Sequence, residues 1–162
     1  MNSILDSVIA NAKDLARRHD YEGAMLLANE LIGQHPNEMD VWLLRSYLHE
    51  LEEDYVEATT DLSRAIELNS MEPHLYYNRG RYQFQLEDYT SAVQDFSKAL
   101  ELCDMYNNDY YREELYFWRA EVLLRLDKQN DALADLSKVR DDFASWTYKL
   151  RTKHDLLRDC SN

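Results

Sequence analysis

Glycine and proline are scarce, with three Gly and two Pro in 162 residues. So few turn formers cannot punctuate a many-stranded sheet, which argues against an all-β barrel or sandwich. They also leave no phosphate-cradling loop, since neither GxGxxG nor GxxxxGK[ST] occurs. Only two cysteines are present, Cys103 and Cys160, far apart in the chain. No disulfide framework is implied, and reduced thiols are expected. Long apolar runs are missing too. Nothing approaches the roughly 20 apolar residues of a membrane span. The opening stretch MNSILDSVIANAKDLARR carries its charges after its apolar residues, so it does not read as a signal peptide. A cytoplasmic protein is expected. Basic charge is also short: 18 Lys and Arg face 31 Asp and Glu, for a formal net charge of −13. That field repels phosphate backbones and anionic membranes, so neither nucleic acid nor membrane is an expected partner. A basic protein or peptide would be steered toward it, although acidity also serves solubility.

What is present is a repeat. Hydrophobic residues make up 45% and charged ones 30%, the balance of a folded domain, and the length predicts one domain over residues 1–162. Three segments read Asp-Tyr-x-x-Ala: Asp20-Tyr21 with Ala24, Asp54-Tyr55 with Ala58, and Asp88-Tyr89 with Ala92. The alanines are 34 residues apart, twice, and a fourth unit follows at Ala132 after 40. A fixed period of this size means a solenoid of like supersecondary units. Within residues 39–72, Trp42, Ser46 and Leu48 precede a break at Glu52-Glu53-Asp54, and Ala58, Leu62, Ala65 and Ile66 then recur at helical spacing. Each unit therefore reads as two amphipathic helices, with the Asp as N-cap of the second; Asp54 and Glu57 have capping-box spacing.

On these residues the chain resembles the tetratricopeptide-repeat family. That unit has a bulky residue at position 4, a small one at 8 and Ala at 20. The residues 5–38 supply Val8, Ala12, Ala24, Ala28, Leu31 and Pro36, and 39–72 supply Trp42, Ser46, Ala58, Leu62 and Ala65. The residues 73–112 supply Tyr76, Gly80, Ala92, Phe96 and Ala99, and 113–146 supply Tyr116, Ala120, Ala132, Leu136 and Val139. The resemblance implies an all-α, right-handed superhelix of four helix pairs. Lys128-Gln129 replaces Asp-Tyr in the fourth unit, which predicts a later and less firmly capped helix there. After it, Trp146, Leu150, Lys153/His154 and Leu157 recur at helical spacing, with Lys149, Arg151 and Arg158 between them. This predicts a terminal capping helix over about 147–160 with a polar outer face, giving nine helices and no strands.

In this family the first helix of each pair lines a concave groove, through positions 2, 5, 9, 12 and 13. Carried over, these are Asp6, Ile9, Lys13, Ala16 and Arg17; Asp40, Leu43, Tyr47, Glu50 and Leu51; His74, Tyr77, Arg81, Phe84 and Gln85; and Glu114, Phe117, Glu121, Leu124 and Arg125. The residues expected to meet a partner are Lys13, Arg17, Tyr47, Glu50, His74, Tyr77, Arg81, Phe84, Phe117, Trp118, Glu121 and Arg125. Aromatic and Arg side chains most often carry interface energy. The same rings have a second reading, as packing between neighbouring helices. The family's carboxylate clamp of Lys, Asn and Arg is not implied: its positions hold Ile9, Lys13, Leu44, His74 and Asn78, or Leu43, Tyr47, Asn78, Glu114 and Trp118.

The six extra residues around Asp104–Arg112, with Tyr106, Tyr110 and Tyr111, either offer a binding insert or lengthen a helix. The five histidines share no metal-ligand spacing with cysteine or with one another, and no catalytic motif appears, so neither enzyme activity, metal nor cofactor is expected. The resemblance and the charge imply a non-catalytic module that binds a protein or peptide. Read as a standalone unit, it suits an adaptor or a dedicated inhibitor such as an immunity protein against a basic toxin. A self-assembling structural protein, stacking end to end near Trp146 as a homo-oligomer, is the other reading.

Overall fold

A computed structural model of the chain describes residues 3–107, 111–146 and 150–161. They form α1 (Ser3–Arg17), α2 (Tyr21–Gln34), α3 (Met39–Leu51), α4 (Tyr55–Leu68), α5 (Pro73–Gln85), α6 (Tyr89–Tyr106), α7 (Arg112–Arg125), α8 (Gln129–Leu136), β1 (Ala144–Trp146), β2 (Leu150–Thr152) and α9 (Lys153–Asp159). Contacts gather these into two compact units, Met1–Ser70 and Met71–Asn162. In the first, α1 pairs with α2, α3 with α4, and the two hairpins meet through α2 and α3. In the second, α5 pairs with α6 and α7 with α8, joined through α6 and α7, while α9 lies against α7 and α8.

Asp20, Asp54 and Asp88 are the N-caps the repeat predicts. Each carboxylate accepts the backbone N–H three residues on, from Gly23 at 2.9 Å and from Glu57 and Ser91 at 3.2 Å. Helix α8 starts in phase at Gln129, not later, but Lys128 gives it no side-chain cap. The turn inside each pair is one geometry used four times. His19, Glu53, Glu87 and Asp127 all sit in the left-handed region, with φ of 65°, 59°, 61° and 57°. The next N–H bonds back to the carbonyls of Leu15, His49, Gln83 and Leu123 at 2.9–3.0 Å, satisfying helix ends that would otherwise be orphaned. Glycine would enter that region without steric cost, so the shortage of glycine is met by strain at four ordinary residues.

Ala24, Ala58, Ala92 and Ala132 are wholly buried at the helix crossings. Gly80 allows a close approach, since a Cβ there would stand 2.9 Å from the Phe96 ring. Across each of the last three crossings runs an arginine–aspartate pair. Arg45 Nε and Nη2 donate to Asp61 at 2.8 and 2.7 Å, Arg79 to Asp95 at 2.7 and 2.8 Å, and Arg119 to Asp135 at 2.7 and 2.7 Å. Each aspartate is buried, and each guanidinium lies over the aromatic three residues before it: Trp42 (5.3 Å), Tyr76 (5.8 Å) and Tyr116 (5.7 Å). These bidentate bonds hold all three arginines above their ordinary pKa.

The absence of strands expected at the C-terminus is corrected. Residues Ala144–Trp146 and Leu150–Thr152 form an antiparallel hairpin, with Ser145 opposite Arg151. The terminal helix begins only at Lys153, where Thr152 and Asp155 make a reciprocal capping box. Its phase also differs, since Leu156 is wholly buried. Arg151 and Lys153 are buried rather than on a polar outer face; Lys153 Nζ donates to the Val139 carbonyl at 2.6 Å and to Asp141 at 2.9 Å. Lys149 and the Trp146 side chain lie outside the described residues.

Asp135→Ala should lower unfolding free energy by about 2–4 kcal/mol, because it strands a half-buried guanidinium. Arg140→Ala, which removes the exposed pair with Glu113, should cost about 0.5 kcal/mol or less. Urea titrations of the two variants check this contrast. Glu87→Gly should instead raise stability by roughly 0.5–1 kcal/mol in the same assay, relieving left-handed strain.

Candidate functional site

In the first unit the leading helices α1 and α3 bring six of the expected groove positions together. Asp6, Ile9, Lys13 and Arg17 from α1 and Asp40 and Leu43 from α3 line a pocket of about 300 Å³. Ile9 and Leu44 are buried and belong to the core of this unit, so the floor is apolar and fixed. Lys13 and Arg17 are exposed at its rim, as are Asp6 and Asp40. Arg17 makes an ion pair with Asp14 at 4.0 Å. The pocket therefore has an apolar base and charges of both signs facing solvent. Tyr47 and Glu50 are half-buried on α3 outside this pocket, with Tyr47 against the same core.

The second unit treats its expected site residues differently. Phe84, Phe117, Trp118 and Glu121 are buried, at 4%, 0%, 1% and 1% exposure. They are packing groups, which corrects the expectation that they offer an open aromatic groove. Phe84 meets Trp118 edge-on at 5.5 Å, Trp118 meets Phe96 at 6.0 Å, and Phe117 is covered by Phe143 at 5.3 Å. The cations are laid on these rings. Arg81 lies over Tyr77 (5.6 Å) and Trp118 (5.7 Å), and Arg125 lies over Phe84 (5.7 Å). Such contacts are worth about 0.5–2 kcal/mol, more where water is excluded. His74 stands apart, half-buried, with Nδ1 3.5 Å from Glu72.

Glu114 organises this network. One carboxylate oxygen accepts from Tyr77 Oη at 3.2 Å, from Trp118 Nε1 at 2.9 Å and from Ser145 Oγ on β1. Tyr77 stacks on Tyr111 at 5.8 Å, so one residue of the insert region joins the packing. Asp104, Met105 and Tyr106 lengthen a helix: α6 has 18 residues where α2 and α4 have 14. Tyr106 is exposed, and Tyr110 lies outside the described residues. Sequence reasoning missed the Arg–Asp pairs and the hairpin side chains. The former had a signal, an Arg and an Asp 16 residues apart in three units; the hairpin had none at helical periodicity. Among the described residues no three His, Cys, Asp or Glu side chains gather as metal ligands.

Burial above all, and then the Glu114 charge, push the Tyr77 phenol well above the ordinary tyrosine range. The folded chain therefore keeps this proton where the unfolded chain releases it. Stability is complete below about pH 10 and falls as pH rises beyond it. Urea titrations on both sides of that range should show a smaller alkaline loss for Tyr77→Phe than for the parent chain.

Residues 73–105 match the tetratricopeptide-repeat family. No curated protein matches the chain. Among solved structures, MamA (residues 41 to the end) from Desulfovibrio magneticus RS-1 superposes with a TM-score of 0.71 at 16% identity, covering 83% of this chain and 72% of that one. The TPR2B domain of yeast Sti1, solved in complex with pHsp70, gives 0.69 at 18% identity over 75% and 97%. YrrB, described as having an unusual peptide-binding site, gives 0.69 at 18% identity over 80% and 64%. At these identities the likeness speaks to the fold, and it agrees with the helix hairpins, their buried alanines and the aspartate caps. One repeat of the chain thus matches the tetratricopeptide-repeat family model, and the chain shares its fold with solved tetratricopeptide-repeat structures.

Proposed function

We propose that the chain is a non-catalytic interaction module that binds a protein or peptide along the first-helix face of its repeats. The observation that carries this reading is the α1–α3 pocket, with an apolar floor formed by Ile9, Leu43 and Leu44 and a rim of Lys13, Arg17, Asp6 and Asp40. A peptide backbone with one apolar side chain suits that floor. Charged side chains on either side of it would then meet a complementary rim. The resemblance to Sti1 TPR2B and YrrB, one solved with a protein ligand and one described by its peptide site, supports the same use of the fold.

The ionisable groups that gather in the second unit favour a binding rather than a catalytic role. The carboxylates of Asp95, Asp135 and Glu114 each accept bonds that hold helices together. A basic partner fits the net charge of −13, and residues 39–72 concentrate it, with nine acids against two bases. That chemistry suits an adaptor for a basic protein or a dedicated inhibitor of a basic toxin. Cys103 and Cys160 are not joined in a disulfide, which favours a reducing compartment such as the cytoplasm.

Leu43→Asp and the double change Lys13→Glu with Arg17→Glu should each weaken capture of the natural partner by about tenfold. Helicity by circular dichroism should stay that of the parent. Parallel affinity captures from the native source, followed by mass spectrometry, check this. Equal retention of a stoichiometric partner by parent and variants would remove the groove from the binding reaction.

A further inference from the structure

We propose that the α1–α3 pocket takes an extended peptide segment carrying an acidic, an apolar and a basic side chain, in that order from its N-terminus and each two residues from the next. This inference rests on the groove reading above and names the class of ligand for that site.

Charge is sorted along the pocket. Asp6 and Asp40 hold position 2 of their repeats, Ile9 and Leu43 hold position 5, and Lys13 and Arg17 hold positions 9 and 13 of the first repeat. The layers along the leading helices are therefore acidic, then apolar, then basic. At the helical rise, Lys13 stands about 10 Å and Arg17 about 16 Å beyond Asp6 on α1. Opposite charges share this pocket, yet Asp6, Asp40 and Lys13 are engaged in no ion pair among the described residues. An extended chain advances about 3.3 Å per residue and shows alternate side chains on one face, so its side chains i, i+2 and i+4 span about 13 Å. One side chain then falls at each layer. Two acids face two bases, so the pocket selects on arrangement rather than on total charge.

A segment of the chain itself lies this way on the fourth repeat. Glu114, Phe117 and Glu121 are positions 2, 5 and 9 on α7, the counterparts of Asp6, Ile9 and Lys13. Glu114 accepts from Ser145 Oγ, Phe143 covers Phe117 at 5.3 Å, and Arg151 pairs with Glu121 at 3.2 Å. Phe143 and Ser145 are two residues apart and lead from position 5 back to position 2, so this strand runs antiparallel to α7. A donor thus meets the carboxylate at position 2, an apolar ring meets position 5 and a cation meets the carboxylate at position 9. In the α1–α3 pocket Lys13 reverses the sign at position 9, and the ligand must bring an acid there. The antiparallel direction puts that acid before the apolar residue and the basic residue after it.

The test needs no natural partner. Acetyl-Glu-Thr-Leu-Thr-Lys-amide is titrated into the isotope-labelled chain at low salt and followed by amide chemical shifts. Its dibasic (Lys-Thr-Leu-Thr-Lys), diacidic (Glu-Thr-Leu-Thr-Glu) and reversed (Lys-Thr-Leu-Thr-Glu) counterparts are titrated beside it. Saturable shifts at Ile9, Lys13 and Leu43 are expected with the first peptide, and binding about threefold weaker or more with each of the others. Net charge alone would instead favour the dibasic peptide. In the double variant Lys13→Glu with Arg17→Glu, the dibasic peptide should become the tightest binder, a reversal that loss of structure cannot produce. A counterpart that binds the parent chain as tightly as the first peptide, shifts scattered outside the pocket, or an unchanged order of preference in the double variant would overturn the proposal. Absence of peptide selectivity with loss of partner capture in Leu43→Asp would leave the groove reading standing. Selective peptide binding with partner capture indifferent to Leu43→Asp would remove the groove reading and leave the pocket's ligand class.

Discussion

The bidentate pair between an arginine of each first helix and an aspartate of its second is the contact on which the last three repeats are built. Hydrophobic burial brings two amphipathic helices together, but it is tolerant of rotation and slippage. A guanidinium fork that must meet both oxygens of one buried carboxylate is not. The same guanidinium reaches the preceding repeat where that contact lies inside one unit: Arg45 Nη1 donates to Asn29 at 2.8 Å and Arg119 Nη1 to Ser97 at 3.0 Å. One side chain therefore fixes the crossing within a repeat and the stacking of that repeat on its neighbour. Desolvating the aspartate is costly, and the aromatic under each arginine offsets part of that cost while excluding water. The first repeat has Asn11 and Leu27 at the corresponding places, and its hairpin packs through apolar side chains such as Ile9, Ala12, Ala24, Ala28 and Leu31.

Much of this architecture was legible before any coordinates. The 34-residue spacing, the buried alanines and the aspartate caps follow from local rules: a small residue where helices touch, a short acceptor where N–H groups are free. The left-handed turn residues were not legible, because Glu53 and Glu87 lie within acidic runs that read as solvated surface. The arginine–aspartate pairs escaped for a related reason. A charge on a helix looks exposed until the partner helix is known to bring a carboxylate to it, and 16 residues is no helical period. At the C-terminus, alternation over so few residues as Leu150-Arg151-Thr152 is too short to outvote a helical pattern. Only the structure shows Arg151 opposite Ser145 and turned inward.

The site residues divide along the same line. Position within the repeat correctly marks the first-helix face, but not whether a side chain on it is free. In the first unit the neighbours of that face are small or aliphatic, so Lys13 and Arg17 stay in solvent. In the second unit the equivalent face is crowded with rings, and each ring recruits a cation: Arg81 between Tyr77 and Trp118, Arg125 over Phe84. The aromatic content that seemed to promise an open groove instead closes it.

That closure changes what the second unit can recognise. Its arginines are turned onto rings and carboxylates of the same unit, so an anionic ligand would have to break contacts already made. The first unit still has cations and anions at its rim. A partner that engaged the first unit would have to carry an apolar anchor flanked by mixed charge. That is a more restrictive demand than the net charge alone imposes. Selectivity built this way comes from how charge is arranged around an apolar anchor, rather than from how acidic the surface is.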